Sequence, residues 1–158
     1  MNTTAIAVFT GPTIKGTVYF IEHKDVVDIY IDLTGLKKDG LHGFHVHEYG
    51  DLSDGCNSAC AHFNPYNKTH GCPGMTERHI GDLGNIKSDI LGNAKYVTYD
   101  NMIKLSGYKC NIIGRMLIIH QDPDDCGQGQ GERRAESLKT GNAGKRIACA
   151  VIGYAKKC

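Results

Sequence analysis

The sequence predicts an all-β fold, a sandwich or barrel, from two positive patterns and one absence. Short runs rich in Val, Ile, Tyr and Thr recur along the chain, bounded by Gly, Asp, Asn or Pro: Ala5–Thr10, Gly16–Ile21, Val26–Leu33, Gly43–His47, Ala94–Tyr99, Arg115–His120 and Ala148–Tyr154. In the third of these, Val27, Ile29, Ile31 and Leu33 alternate with Val26, Asp28, Tyr30 and Asp32. That period of two marks a strand with one buried face. No segment of about ten residues or more carries a helical stripe, and only a short helical turn over Glu132–Leu138 is expected.

With 158 residues the chain fits one domain, spanning 1–158, and can bury a core without disulfides to replace it. Lys and Arg total 18 against 17 for Asp and Glu, so no basic excess points to nucleic acid or an anionic membrane. A small substrate or a protein partner is expected instead. The aliphatic stretches Ala5–Phe9 and Met116–Ile119 are far shorter than the roughly 20 apolar residues that cross a bilayer. The start MNTTAIAVF lacks the features of a secretory leader, so a cytoplasmic location is expected. Asn2-Thr3-Thr4 and Asn67-Lys68-Thr69 match a glycosylation pattern that has weight only in secreted proteins.

Two stretches interrupt the short connections: Glu48 to about Ile86, and Gln121–Lys145. Both are full of Gly, Asp, Asn, Cys and His, and loops of such length in a compact domain are functional or disordered. The first carries His62, His70, His79 and Asp82, which predicts that a metal orders it. In GFHVHEYGD, His45 and His47 stand two apart in a strand-like run, so both imidazoles leave one face and reach one ion. Six of the 8 histidines lie in or beside the two loops, and His120 ends an apolar strand. His62, His70, His79 and Asp82 together offer three nitrogens and a carboxylate oxygen, an acceptable tetrahedral zinc shell. An all-histidine set suits copper better, because a carboxylate is a harder ligand that disfavours Cu(I).

The 7 cysteines, at 56, 60, 72, 110, 126, 149 and 158, are odd in number and form no CxxC pair, which argues against a thiolate zinc ribbon. Most read as small buried apolar residues or surface thiols.

GFHVHEYGD, GCNSACAHFNP, HGCP, RHIGDLGN, IIGRMLIIH and KTGNAGKRIACAVIG closely resemble the copper,zinc superoxide dismutases, above all their eukaryotic intracellular branch. The resemblance runs from about Ala5 to Ala155. It implies an eight-stranded Greek-key β-barrel with its sites between the barrel wall and two long loops. It implies copper on His45, His47, His62 and His120, zinc on His62, His70, His79 and Asp82, and His62 bridging the two as an imidazolate. It implies disproportionation of superoxide to oxygen and peroxide, with copper cycling between Cu(II) and Cu(I) and zinc structural. It also implies a disulfide between Cys56 and Cys149.

Further roles follow from the same resemblance. Arg146 matches the arginine that attracts and orients the anionic substrate, and Thr140 matches the residue opposite it in the channel. Asp124 in HQDPDD matches a carboxylate linking a copper-ligand to a zinc-ligand histidine, with Asp122 and Asp125 as neighbouring alternatives. Lys139 and Glu136 resemble a charged channel rim. The segment QGQGERRAES departs from the family in length and in Arg133 and Arg134, which are expected to strengthen steering of an anion. Cys60 and Cys72 are open to pairing with Cys56, to a second bridge or to remaining free, whereas Cys126 and Cys158 are expected exposed and oxidisable. A homodimer through Leu52, Ile113, Gly114, Ile152 and Tyr154 is implied, with a copper chaperone as a candidate partner. Two other classes compete: a dismutase-like decoy that binds metal or chaperone without turnover, and a structural β-sandwich whose zinc only orders a loop.

Overall fold

The computed structural model describes residues 2–156, so Cys158, expected at the surface, lies outside the described residues. Each expected run forms a strand: β1 Thr4–Thr10, β2 Lys15–Glu22, β3 Val27–Thr34, β4 Leu41–His47, β6 Ala94–Asp100, β7 Met116–His120 and β8 Arg146–Tyr154. An eighth, β5 Asp82–Lys87, lies where a loop was expected, so the first long loop ends before Asp82 rather than near Ile86. Its period is broken twice: Gly84 takes φ 81°, and the pairing with β4 shifts register between Gly43 and His45. A bulge of this kind removes the alternation by which a strand is read from sequence.

All seven strand pairings are antiparallel, in the order β5-β4-β7-β8-β1-β2-β3-β6. The outermost strands β5 and β6 approach each other, so the sheet curls into a nearly closed Greek-key barrel. Val27, Ile29, Ile31 and Leu33 face its interior with Phe20, Phe44, Leu117 and Ile119, as the alternation in β3 requires. Each such side chain contributes roughly 1.5–3 kcal/mol by leaving water.

Strand β4 explains where the site forms. Phe44 and Val46 point into the core, yet His45 and His47 on the opposite face are also buried, because the long loops cover the outer wall. On neighbouring β7, Leu117 and Ile119 face the core while Met116, Ile118 and His120 face outwards under the same cover. Met116 and Ile118 pack there with Ala59, Cys56 and Cys149.

A 3-10 turn, Gly131–Arg133, leads into helix α1, Arg134–Thr140, close to the expected helical turn. Gly141 ends it at φ 70°, its N–H bonded to the Ser137 carbonyl at 3.1 Å, a left-handed cap that glycine adopts without steric cost. Among the described residues no helix is long and apolar enough to cross a membrane.

Cys56 bonds to Cys149, as the resemblance implied. The expectation of an exposed, unpaired Cys126 is corrected: Cys126 bonds to Cys72, joining the first long loop to the second. Cys60 is free and exposed, and Cys110 is free and half-buried. Of the residues matched to a dimer face, Leu52 and Tyr154 are 55% and 68% exposed, but Ile152 is wholly buried in the core. Its side chain is therefore removed from that surface.

Candidate metal centre

His45 and His47 leave β4 two residues apart, opposite Ile118 and Met116 of β7, and His120 ends β7 on the same outer face. His62 reaches them from the loop because residue 62 makes an isolated antiparallel bridge with residue 47. These four histidines each present a ring nitrogen within 4.8 Å of the others. Backbone partners fix two of the tautomers: His47 Nδ1–H donates to the Cys60 carbonyl at 2.8 Å and His120 Nδ1–H to the Gly144 carbonyl at 3.0 Å. Their Nε2 atoms then carry lone pairs, and these face each other at 3.3 Å. Neither can donate to the other, so only a cation between them makes the arrangement attractive. His45 Nδ1 and His62 Nε2 are buried without any hydrogen-bond partner. Buried polar atoms are almost always paired, and four unpaired nitrogens converging on one point fit a copper ion.

The second group is His62, His70, His79 and Asp82. Asp82 Oδ1 lies 2.9 Å from His62 Nδ1, 3.0 Å from His70 Nδ1 and 3.1 Å from His79 Nδ1, and the His62 and His79 Nδ1 atoms are 3.3 Å apart. A tetrahedron with ligands at about 2.0–2.1 Å from zinc has edges of about 3.3–3.4 Å, so the donors sit slightly inside that size. His70 Nδ1, although near Asp82, makes no hydrogen bond of acceptable geometry, as befits an atom aimed at a common centre. His62 contributes Nδ1 here while its Nε2 faces the first group, so one ring serves both. The Asp82 carboxylate is fixed from behind by the N–H groups of Gly71 at 3.0 Å and His79 at 2.8 Å.

Asp124 joins the groups. Its Oδ2 accepts from His45 Nε2 at 2.6 Å and its Oδ1 from His70 Nε2 at 2.8 Å, which leaves both Nδ1 atoms for metal. Such outer contacts set tautomer and ring direction. Of the neighbouring acids, Asp122 is exposed, and Asp125 accepts from Ser137 Oγ at 2.6 Å and Asn142 Nδ2 at 2.7 Å. Asn85, at the end of the RHIGDLGN motif, clamps Asp124 from both sides, its Oδ1 accepting from the Asp124 N–H at 2.7 Å and its Nδ2 donating to the Asp124 carbonyl at 3.0 Å. Sequence reading missed this role, because an amide in a strand interior carries no spacing signal.

Burial, followed by repulsion from neighbouring rings, holds His45 and His47 well below the usual histidine range, and burial brings His120 to about 4. These imidazoles are neutral at pH 7, the form that binds metal. At His70 burial acts in the same direction, but the carboxylates of Asp124 and Asp82 outweigh it and raise the group to about 9. Burial also disfavours the Asp82 anion, yet hydrogen bonds from His62 and His79 and the nearness of the His70 ring hold it far below the ordinary carboxylate range.

A cavity of about 810 Å³ opens over the first group, with His47, His62 and His120 in its lining. Its walls carry Lys68, Glu136, Lys139, Thr140 and Arg146. Arg146 is held by the carbonyls of Cys56 at 2.7 Å, Asn57 at 3.2 Å and Cys60. Thr140 Oγ1 donates to Glu136 Oε1 at 2.7 Å. Arg133 and Arg134 do not line the cavity, and Arg134 donates to the Gly127 carbonyl at 3.0 Å. Lys68, not singled out from the sequence, stands in the cavity wall with Lys139.

The chain matches the family described as copper/zinc superoxide dismutase over residues 14–152. It is 63% identical over 153 residues to "Superoxide dismutase [Cu-Zn]" of Paramecium bursaria Chlorella virus 1, covering 97% of this chain and 79% of that one. It is 50% identical to "Extracellular superoxide dismutase [Cu-Zn]" of Brugia pahangi, covering 94% and 75%. The solved crystal structure of the clock protein EA4 superposes with a TM-score of 0.92 at 44% identity, over 98% of this chain and 96% of that one. Two donor groups that share a histidine and a family match over most of the chain lead to one statement: this chain belongs to the copper/zinc superoxide dismutase family.

Proposed function

We infer that this chain converts two superoxide anions and two protons into oxygen and hydrogen peroxide, working as one domain over 1–158. The observation that supports this most is the convergence of ring-nitrogen lone pairs from His45, His47, His62 and His120 beneath a cavity that also holds Arg146. Copper bound to that set supplies one-electron redox cycling, and zinc on His62, His70, His79 and Asp82 supplies loop order without redox chemistry.

The side chains do the rest. Arg146, pinned by three carbonyls, presents its remaining N–H groups to an anionic diatomic and orients it by charge-assisted hydrogen bonds. Thr140 narrows the opposite wall, so larger anions are excluded. Lys68 and Lys139 attract the substrate at the mouth, and their effect is weakened by salt. His62 Nε2 can carry one of the two protons that make peroxide a neutral leaving species.

Metal analysis combined with superoxide consumption tests the reading. The expected result is one copper and one zinc per chain with rapid turnover. Full metal occupancy without turnover supports the decoy, and zinc without copper supports the structural sandwich.

The exposed side chains of Leu52 and Tyr154, with exposed Gly114 and half-buried Ile113, suit a two-fold contact. A homodimer is proposed on that surface, and a purely monomeric species in sedimentation at micromolar concentration overturns it. The cytoplasm is proposed as the compartment from the resemblance of the chain's motifs to the intracellular branch of the family. Recovery of the protein from the secreted fraction refutes that placement.

A further inference from the structure

The crosslink between Cys72 and Cys126 is not accounted for by the site's chemistry. Its location is specific. Cys72 follows His70 by two residues and Cys126 follows Asp124 by two, so the bond closes over the His70 Nε2–Asp124 Oδ1 contact of 2.8 Å. The two segments touch along their length: the His70 N–H donates to the Leu138 carbonyl at 2.8 Å, and Gly127 lies so close that a Cβ there would stand 2.7 Å from the His70 carbonyl oxygen.

The zinc-set residues differ in what else holds them. Asp82 begins β5 and His79 is hydrogen-bonded to its carboxylate, while residue 62 is bridged to β4. His70 lies mid-loop, outside every strand, and Asp124 lies in the other loop. Apart from the neighbouring Gly71 N–H, which donates to Asp82 at 3.0 Å, the His70 position is held by the contact between two loops whose chain separation at the crosslink is 54 residues. A covalent bond beside that contact removes the main motion by which the loops would part.

We propose that Cys72–Cys126 is a positioning element for the zinc set, holding His70 against Asp124, so that thiol reduction of this bond speeds zinc loss while copper stays. The inference rests on the zinc assignment above. The step itself is thiol–disulfide exchange: a dithiol reductant gives two protons and two electrons, Cys72 and Cys126 become thiols, and the reductant becomes its own disulfide. The copper set is less affected, because His45, His47 and His120 stand on strands beneath the loops and residue 62 is bridged to β4.

The test compares zinc and copper release from metal-loaded protein into a chelator for wild type, for Cys72→Ser/Cys126→Ser, and for Ile29→Ala. The last removes a buried core side chain away from both loops and controls for general destabilisation. The expected result is zinc release accelerated about 10–100-fold in the serine pair, the scale on which loss of a supporting contact lowers metal affinity, with copper release changed less than threefold and Ile29→Ala near wild type. Cobalt in the zinc set gives a second readout, and its tetrahedral visible absorption is expected to weaken in the serine pair. Zinc release within twofold of wild type overturns the proposal, as does equal acceleration in Ile29→Ala.

If the serine pair does not fold, wild-type protein in dithiothreitol is sampled by alkylation and peptide mass. Zinc loss is then expected to follow alkylation of Cys72 and Cys126, and loss that follows Cys56 and Cys149 overturns the proposal. Failure of the zinc assignment itself is distinguishable, since wild type would then hold no zinc.

Discussion

His45→Ala is expected to lose copper and superoxide consumption together while retaining zinc. His45 is wholly buried, its Nδ1 has no protein partner and its Nε2 is fixed on Asp124. Removing the ring deletes a direct donor, so copper affinity should fall by more than the roughly 10–100-fold that loss of an outer contact costs. Zinc should remain, because Asp124 still accepts from His70 and all donors of the second group are intact. Elemental analysis beside a superoxide-decay assay reads both effects. Copper retained with wild-type decay would remove His45 from the ligand set.

The second large effect concerns Cys56→Ser/Cys149→Ser. The bond spans a separation of 93 residues, of which the Cys72–Cys126 bond already bridges 54, and the loop that remains restrains the unfolded chain by about 4 kcal/mol on a chain-entropy account. At about 2–4 °C per kcal/mol for a domain of this size, the melting temperature should drop by roughly 8–16 °C. Activity should fall as well, for a different reason. The carbonyls of Cys56, Asn57 and Cys60 hold Arg146, and the disulfide ties their loop to β8, which begins with Arg146 itself. Freed from that anchor, the guanidinium loses its orientation towards an anion. Calorimetry and rate measurements at several salt concentrations check the pair, and an unchanged melting temperature would contradict the structural role.

The sequence showed the barrel strands because their burial is one-sided, and β3 is the clearest case, with Val27, Ile29, Ile31 and Leu33 inside. Strand β5 was hidden because Gly84 and the register shift against β4 break its alternation. In the same way, the spacing of His45 and His47 was enough to put two imidazoles on one face. Among Asp122, Asp124 and Asp125, by contrast, the chain offers three acids in one short loop. Only folding showed that Asp124 turns to the histidines while Asp125 turns to Ser137 and Asn142.

What the sequence determined by itself was therefore local and periodic: the strand faces and the paired histidines of β4, while the resemblance pointed to the two donor groups that the fold brings together. What only the tertiary structure decided was pairwise and distant. Cys126 looked free but meets Cys72, and Asn85 proved to clamp Asp124. Periodicity is a property of neighbouring residues and survives in one dimension, whereas a contact between two loops exists only once the barrel has fixed where each loop begins and ends.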